Sequence, residues 1–179
     1  MLLTTRVKNK KKAIFFDRDG VLIDAPIING KPHSTQILKD IKLCKYIVKI
    51  CNFYRKKYYL IMVTNQPDFS RGVNTKKNIN EINNFLKKKL KLNAVFVCFS
   101  DDDNSFDRKP NPGMLLRAEK KYKINLKESY MIGDRWRDIG AGKKVGCKTI
   151  FINRHYSEKQ IFKSNYIISK LDEIFKIIK

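Results

Sequence analysis

The stretch AIFFDRDGVLID, residues 13–24, indicates the fold class of this 179-residue chain. Its apolar run, residues 13–16, has the composition of a buried strand, and two acids one residue apart, Asp17 and Asp19, follow it directly. Asp and the next residue, Gly20, are ordinary turn residues, so a surface turn is one interpretation. A pair of carboxylates placed for chemistry at a strand end is the other, and the rest of the chain bears on the choice.

Short apolar runs alternate with helical patterns along the chain. Strands are predicted at 12–17, 58–66, 94–100, 129–134 and 148–153, with a last short strand after residue 164. Helices are predicted at 41–56, 75–92, 111–124 and 136–146, followed by a terminal helix; Thr75 is the expected cap of the second, Pro112 suits the first turn of the third, and Gly146 closes the fourth. The alternation predicts a three-layer, Rossmann-like α/β fold, in which helices cover both faces of a parallel sheet.

Residues 20–38 interrupt this alternation. They contain Asn29-Gly30, a strong signal for a two-residue hairpin turn, and we expect a small flap over the end of the first strand. No linker, repeat or low-complexity tract divides the chain, so residues 1–179 are predicted to form a single domain.

The composition narrows the choice of partners. The formal charge of +22, from 39 Lys+Arg against 17 Asp+Glu, comes mostly from lysines scattered through every segment; local runs occur only at 8–12 and 87–91. We interpret them as solvating the surface and favouring an anionic ligand, a phosphorylated small molecule ahead of a nucleic acid. No apolar run approaches the roughly 20 residues that span a bilayer, and no secretory signal or membrane partner is expected. Four scattered cysteines predict reduced thiols and a cytoplasmic protein.

Polar side chains follow four of the predicted strands. Because ligands of open α/β sheets bind beyond the carboxyl ends of the strands, we expect these side chains to lie close together. The set comprises Asp17 and Asp19 after the first strand, Thr64, Asn65 and Gln66 after the second, Arg108 and Lys109 in the loop after the third, and Asp134 and Asp138 after the fourth.

This set suits phosphoryl transfer. A carboxylate can attack phosphorus and form an acyl phosphate, which divides one difficult displacement into two easier ones. Other carboxylates hold Mg²⁺, while a hydroxyl and an ammonium bind the oxygens of the transferring group. A second acid two residues after the nucleophile can serve as acid and base.

The motifs DRDGVLI (17–23), VTNQ (63–66), DRKPNPGML (107–115) and MIGDRWRDIGAG (131–142) together resemble the haloacid-dehalogenase superfamily. The similarity is closest to the small subclass that contains heptose bisphosphate and histidinol-phosphate phosphatases. The intervals between the motifs are too short for a cap domain of at least about 50 residues, so a capless fold is expected.

The resemblance implies a role for each motif residue. Asp17 would be the nucleophile and Asp19 the general acid/base. Asp17, the main-chain carbonyl of Asp19, and Asp134 would hold Mg²⁺, and Thr64 and Lys109 would stabilise the phosphoryl group. Substrate contacts are implied for Asn65, Gln66, Arg108 and Arg135, and Asp138 would either orient the metal ligands or cap a helix.

The sequence departs from this subclass at two places. Relatives carry a structural zinc in the loop before RKP, but residues 98–110 retain only Cys98 as a matching ligand, so no structural zinc is expected. The flap carries an apolar stretch, residues 25–28, where relatives have polar residues that contact the sugar. The flap therefore leaves the substrate open.

The leading expectation is a Mg²⁺-dependent phosphatase of a small phosphorylated metabolite, such as a heptose bisphosphate, working as a monomer. Histidinol phosphate is a second candidate substrate. A nucleic-acid 3′-phosphatase is a third, but that branch has an apolar residue where this chain has Arg18. A catalytically inactive binding protein is the last, and the intact Asp17 speaks against it.

Overall fold

The computed structural model describes residues 11–179. The N-terminal residues to which the expectation of no secretory signal applies begin outside the described residues, as does most of the basic run 8–12. The described part contains eight strands: β1 (Lys12–Phe16), β2 (Ile27–Ile28), β3 (Lys31–Pro32), β4 (Tyr58–Asn65), β5 (Ala94–Cys98), β6 (Tyr130–Gly133), β7 (Lys148–Ile152) and β8 (Tyr166–Ile168). Five α-helices accompany them: α1 (Ile47–Tyr54), α2 (Lys76–Lys89), α3 (Gly113–Tyr122), α4 (Trp136–Lys144) and α5 (Ile174–Ile177).

Six of the strands form one parallel sheet, in the order β5-β4-β1-β6-β7-β8. Because β1 lies between β4 and β6, the ends of these three strands meet at the point where the strand order reverses, the usual ligand site of such sheets. The sheet therefore brings together the motifs that follow β1, β4 and β6.

The sheet separates two hydrophobic cores. Alternate residues of β1 point to opposite faces, so that Ile14 and Phe16 enter one core and Ala13 and Phe15 the other. The first core contains buried residues of α1, α2 and α5, and the second contains residues of α3 and α4. Helices thus cover both faces, and the predicted three-layer α/β fold is confirmed.

The flap is the predicted hairpin. β2 and β3 pair antiparallel, and the turn between them holds Asn29 at φ 51° and Gly30 at φ 71°, the left-handed conformation that a two-residue turn of this kind requires. Between Gly20 and Thr64 the chain forms only this hairpin, one 3₁₀ turn, α1 and β4. No cap domain is inserted within these described residues.

The first predicted helix begins six residues later than expected. The segment before it pairs with the chain that follows β1: the amide of Asp24 donates to the carbonyl of Lys42 (2.9 Å), and that of Cys44 donates to Leu22 (3.1 Å). These bonds hold the segment in an extended conformation, so the apolar spacing from Ile41 onward did not mark the start of the helix. The other predicted helices and strands are present to within a few residues at each end.

Two further findings concern membrane-spanning helices and the cysteines. None of the helices within residues 11–179 is both long and apolar enough to cross a membrane. All four cysteines are buried and carry free thiols.

Candidate active site

Three carboxylates and one ammonium cluster beyond the ends of β1 and β6. Asp17 follows β1, Asp134 follows β6, Asp138 lies in the first turn of α4, and Lys109 comes from the loop after β5. Ligand oxygens of Asp17, Asp134 and Asp138 all lie within 4.8 Å of one another. Nζ of Lys109 donates to Oδ1 of Asp17 (2.6 Å), to Oδ1 of Asp138 (2.6 Å) and to the carbonyl of Val63 (2.8 Å). Three carboxylates against one ammonium leave an excess of negative charge in a buried site.

Burial and the neighbouring charges shift the pKa values of the cluster. Burial raises the pKa of Asp17 to about 6, although the neighbouring Lys109 opposes the shift, and Asp138 adds to it. Burial, followed by repulsion from Asp17 and Asp138, raises the pKa of Asp134 well above its ordinary range. Burial pulls the pKa of Lys109 down, but the carboxylates of Asp138 and Asp17 outweigh it and the net shift is upward. Lys109 therefore remains an ammonium at neutral pH.

Asp134 offers one oxygen without a partner. Its Oδ2 accepts a hydrogen bond from the hydroxyl of Tyr156 (2.7 Å), whereas Oδ1 is buried and has no partner in the described part of the chain. A buried carboxylate oxygen with no donor is costly, and a hard cation is the group that satisfies such an oxygen among further carboxylates. The arrangement fits a divalent cation held by Asp17 and Asp134.

Gly20 makes room for this carboxylate. It adopts φ +83°, and a Cβ added there would lie 1.8 Å from Oδ2 of Asp134. Gly20 thus supplies both the left-handed turn after the acids and the space that Asp134 occupies.

Asp138 has the helix-capping role considered from the sequence and also contacts the ammonium of Lys109; orientation of the metal ligands stays a prediction. Its Oδ2 accepts the amide of Arg135 (3.1 Å) at the start of α4, while its Oδ1 accepts Nζ of Lys109. It is therefore a helix cap that also positions the ammonium. Because its ligand oxygen lies within the carboxylate cluster, it is also available to a metal.

The side chain of Asn65 holds the backbone of Lys109 in place. Its Nδ2 donates to the carbonyl of Lys109 and its Oδ1 accepts the amide of the same residue, both at 3.0 Å. The side chain also lines the cleft beside the cluster, so the predicted substrate contact remains open to it.

Asp19 lies in the cleft, but its side chain is outside the carboxylate cluster. Its Oδ1 accepts the amide of Thr35 in the flap (3.1 Å), and its Oδ2 accepts Nε of Arg18 and Nε2 of Gln66, both at 3.0 Å. These donors fix the carboxylate at the edge of the cleft. The predicted contribution of Asp19 to a metal, through its main-chain carbonyl, stays a prediction.

Gln66 is not among the residues that line the cleft, and its expected substrate contact stays a prediction. Gln66 is fully buried. Its Nε2 donates to Oδ2 of Asp19 and to the hydroxyl of Thr64 (2.8 Å), and its Oε1 accepts Nη2 of Arg18 (2.8 Å). Thr64 is 1% exposed, accepts this bond and, like Gln66, is not among the residues that line the cleft, so its expected role toward a phosphoryl group stays a prediction.

Arg108 is held by its own loop, and its expected substrate contact stays a prediction. Its Nε donates to Oδ1 of Asp103 (2.9 Å) and its Nη1 to the carbonyl of Ser100 (3.0 Å), so the guanidinium is bound within the loop after β5 and does not line the cleft. Arg137 lines the cleft instead, and its Nη1 donates to Oδ1 of the same Asp103 (2.8 Å).

The cleft has a cationic rim. Arg135 and Arg137 line it with His33 and Ser34 of the flap, around a cavity of about 60 Å³ above the cluster. A larger cavity of about 620 Å³ adjoins it, sharing His33 and Ser34. Arg135, an expected substrate contact, is thus at the rim, where it also pairs with Glu158.

Three contributors to the site escaped the sequence reasoning. Arg18 was considered only as the residue between the two acids. It is fully buried, and its Nε donates to Oδ2 of Asp19. Arg137 has a sequence signal, since it lies one residue before Asp138 in the fourth motif. Tyr156 has none, because it lies in an irregular segment after β7 with no motif around it.

Polar contacts hold the loop that stands where relatives are expected to bind zinc. The thiol of Cys98 lies 3.9 Å from the carbonyl of Ser100 and from the hydroxyl of Ser105. Arg108 and Asn111 join other parts of the same loop through side-chain hydrogen bonds. The absence of zinc stays a prediction.

Comparisons with known proteins agree with this geometry. The HAD-hydrolase-like family model matches residues 106–174. A D-glycero-beta-D-manno-heptose-1,7-bisphosphate 7-phosphatase of Helicobacter pylori is 32% identical over 149 residues, covering 78% of this chain and 82% of the relative. A D-glycero-alpha-D-manno-heptose-1,7-bisphosphate 7-phosphatase of Photorhabdus laumondii is 31% identical, covering 92% and 98%. The chain belongs to the haloacid-dehalogenase-like phosphatases.

A solved structure supports the fold of this family member. The D,D-heptose 1,7-bisphosphate phosphatase of B. bronchiseptica, crystallised with magnesium and phosphate, superimposes with a TM-score of 0.77 at 21% identity, covering 93% of this chain and 97% of that one. As a haloacid-dehalogenase-like phosphatase, the chain is a phosphoric monoester hydrolase, and the resemblance drawn from its four motifs is confirmed.

Proposed function

We propose that this phosphatase is Mg²⁺-dependent and removes one phosphate of a heptose 1,7-bisphosphate through a phosphoaspartate on Asp17. The observation that carries the proposal is the buried cluster in which Asp17 touches the ammonium of Lys109 within reach of Asp134. The relatives from H. pylori and P. laumondii, named for this substrate, support the choice of sugar.

Asp17 and Asp134 would hold the metal, with Asp138 beside them and the main-chain carbonyl of Asp19 as a further ligand. The buried, unpartnered Oδ1 of Asp134 supports this assignment. When bound, Mg²⁺ supplies positive charge that offsets the repulsion between the carboxylate nucleophile and the anionic ester.

The chain's own residues account for both steps, the transfer of the phosphoryl group to Asp17 and the hydrolysis of the phosphoaspartate. The carboxylate of Asp17 attacks phosphorus, and the bond to the leaving oxygen breaks while Asp19 donates a proton to that oxygen. Lys109 and the hydroxyl of Thr64 stabilise the charge on the phosphoryl oxygens. Asp19 then takes a proton from a water that attacks the phosphoaspartate, releasing inorganic phosphate and restoring Asp17.

The cationic rim supports a substrate with a second anionic group. Arg135 and Arg137 line the cleft beyond the reacting carboxylate, and guanidinium groups pair with phosphates in a bidentate manner. The 1-phosphate of a heptose bisphosphate would lie against this rim while the 7-phosphate reaches Asp17.

The experiment compares phosphate release from both anomers of D-glycero-D-manno-heptose 1,7-bisphosphate, from histidinol phosphate and from a 3′-phosphorylated oligonucleotide. We expect the highest kcat/KM for a heptose bisphosphate, no turnover without Mg²⁺, and a phosphoenzyme that hydroxylamine cleaves. Asp17→Asn should be inactive, with deamidation checked by mass spectrometry. A higher kcat/KM for histidinol phosphate or the oligonucleotide would refute the sugar assignment, and turnover by Asp17→Asn would refute the mechanism.

A further inference from the structure

The segment 153–158, which follows β7, contacts several parts of the active site at once. Nε and Nη2 of Arg154 donate to the carbonyl of Gly20 (3.1 and 2.9 Å), and the amide of Ser157 donates to the carbonyl of Gly30 in the flap (2.8 Å). Glu158 accepts Nε of Arg135 (2.9 Å). A single short segment therefore connects the turn after the catalytic acids, the flap and the cationic rim.

The conformation of this segment directs Tyr156 inward. Oδ1 of Asn153 accepts the amide of His155 (3.0 Å), and His155 adopts φ 56°, a left-handed conformation that is unfavourable for a residue with a side chain. The contacts on either side hold this turn in place. As a result, the hydroxyl of Tyr156 reaches Oδ2 of Asp134 at 2.7 Å.

Gly20 leaves the space for the contact between Tyr156 and Asp134. A Cβ at Gly20 would lie 1.8 Å from Oδ2 of Asp134 and 2.9 Å from the hydroxyl of Tyr156. The absence of a side chain at this position thus admits both groups. With Oδ2 bound to Tyr156, Oδ1 of Asp134 is left buried without a partner.

We propose that Tyr156 is a positioning residue for the metal site: its hydroxyl fixes the rotation of the Asp134 carboxylate and leaves Oδ1 for the cation. The inference rests on the proposed function in assuming that Asp134 is a metal ligand. Groups that orient metal-binding carboxylates change metal affinity by about 10- to 100-fold when removed. Tyr156 does not touch the reacting groups described above, so its effect passes through the metal.

The test measures Mg²⁺ affinity by titration calorimetry in the wild type and in Tyr156→Phe, which keeps the ring and removes only the hydroxyl. Tyr58→Phe is the matched control, because its hydroxyl likewise donates a hydrogen bond, to the main-chain oxygen of Lys179 (3.0 Å), at the end of β4 opposite to the site. We expect the Mg²⁺ dissociation constant to rise at least about tenfold in Tyr156→Phe and to stay unchanged in Tyr58→Phe. Thermal melts would show that both variants fold.

Activity gives a second measurement. If Tyr156 acts only through the metal, saturating Mg²⁺ should restore the kcat of Tyr156→Phe to near the wild-type value. Equal Mg²⁺ affinity in Tyr156→Phe and the wild type would overturn this inference and leave the proposed function intact. A wild type that binds no Mg²⁺ would instead overturn the metal site of the proposed function itself.

Discussion

Lys109 donates a hydrogen bond from Nζ to Oδ1 of Asp17 across 2.6 Å, although 92 residues separate them in the chain. The same ammonium also contacts Asp138 and the carbonyl of Val63, so three acceptors fix it. A cation held in this way beside the nucleophile is already in place for the charge that develops on a transferring phosphoryl group, and needs little reorganisation during the reaction.

Replacing Lys109 with Met should therefore lower kcat by about 10²- to 10³-fold, the usual effect of losing one fixed stabilising donor. The change also leaves Asp17 and Asp138 without their shared cation, so the melting temperature of the metal-free protein should fall. Steady-state kinetics and thermal melts measure both effects. Lys120→Met, an exposed lysine on α3, is the control, and a kcat for Lys109→Met within a few-fold of the wild type would contradict the assigned role.

Gln66 should affect turnover through Asp19. Gln66→Glu keeps the shape of the side chain but removes the amide that donates to Asp19 and Thr64, and it places a like charge beside Asp19. We expect kcat to fall by at least about tenfold with little change in KM, because the acid/base group is misplaced while substrate contacts remain. Acid-quenched samples should contain more phosphoenzyme than the wild type; a purely raised KM would show instead that Gln66 binds substrate.

The sequence predicted the fold and the chemistry of the cluster better than it predicted the directions of the side chains. The ends of neighbouring strands in a parallel sheet bring Asp17 and Asp134 together, and Asn65 at the end of β4 holds the backbone of Lys109, which comes from the loop after β5. The motifs contain all of these residues. The motifs did not reveal the side-chain partners of Gln66 and Arg108: Gln66 bonds to Arg18 and Asp19, which are distant in the chain, and Arg108 bonds within its own loop. Arg108 turns away from the cleft because Asp103 and the carbonyl of Ser100 bind it.

Arg137 should contribute to recognition of the second phosphate. Arg137→Ala is expected to raise KM for the heptose bisphosphate by about tenfold, as expected from losing one hydrogen bond between charged groups, and to leave hydrolysis of a small aryl phosphate nearly unchanged. The control is Arg117→Ala, an exposed arginine on α3 that pairs with Asp107. Arg108→Ala should act differently, lowering the melting temperature because it releases the loop around Asp103. Equal KM effects on both substrates would place Arg137 outside the leaving-group site.

Purified protein should contain no stoichiometric zinc. Among the described residues, the hydrogen-bond partners of the Cys98 thiol are oxygen atoms of Ser100 and Ser105, and one thiolate is too few for a four-ligand site. Atomic emission analysis of protein purified without chelators should find well under one zinc per chain, and Cys98→Ser should retain activity. One zinc per chain that is lost together with activity in Cys98→Ser would show that the loop does bind the metal.

Mg²⁺ should stabilise the protein more at neutral than at acidic pH. The pKa of Asp17 rises from 3.8 to about 6 on folding, mainly through burial, so between these values the metal-free folded state binds more protons than the unfolded chain. Raising the pH through this range therefore lowers the free energy of unfolding of the metal-free protein, and the raised pKa of Asp134 acts in the same direction. Mg²⁺ competes with these protons, so its affinity should increase as they leave.

Thermal melts from about pH 4 to about pH 7.5, with and without Mg²⁺, should show the two stability curves separating as the pH rises, and Asp17→Asn should reduce this separation. A stabilisation by Mg²⁺ that is the same at both ends of the range would show that the cation does not compete for the carboxylates of this cluster.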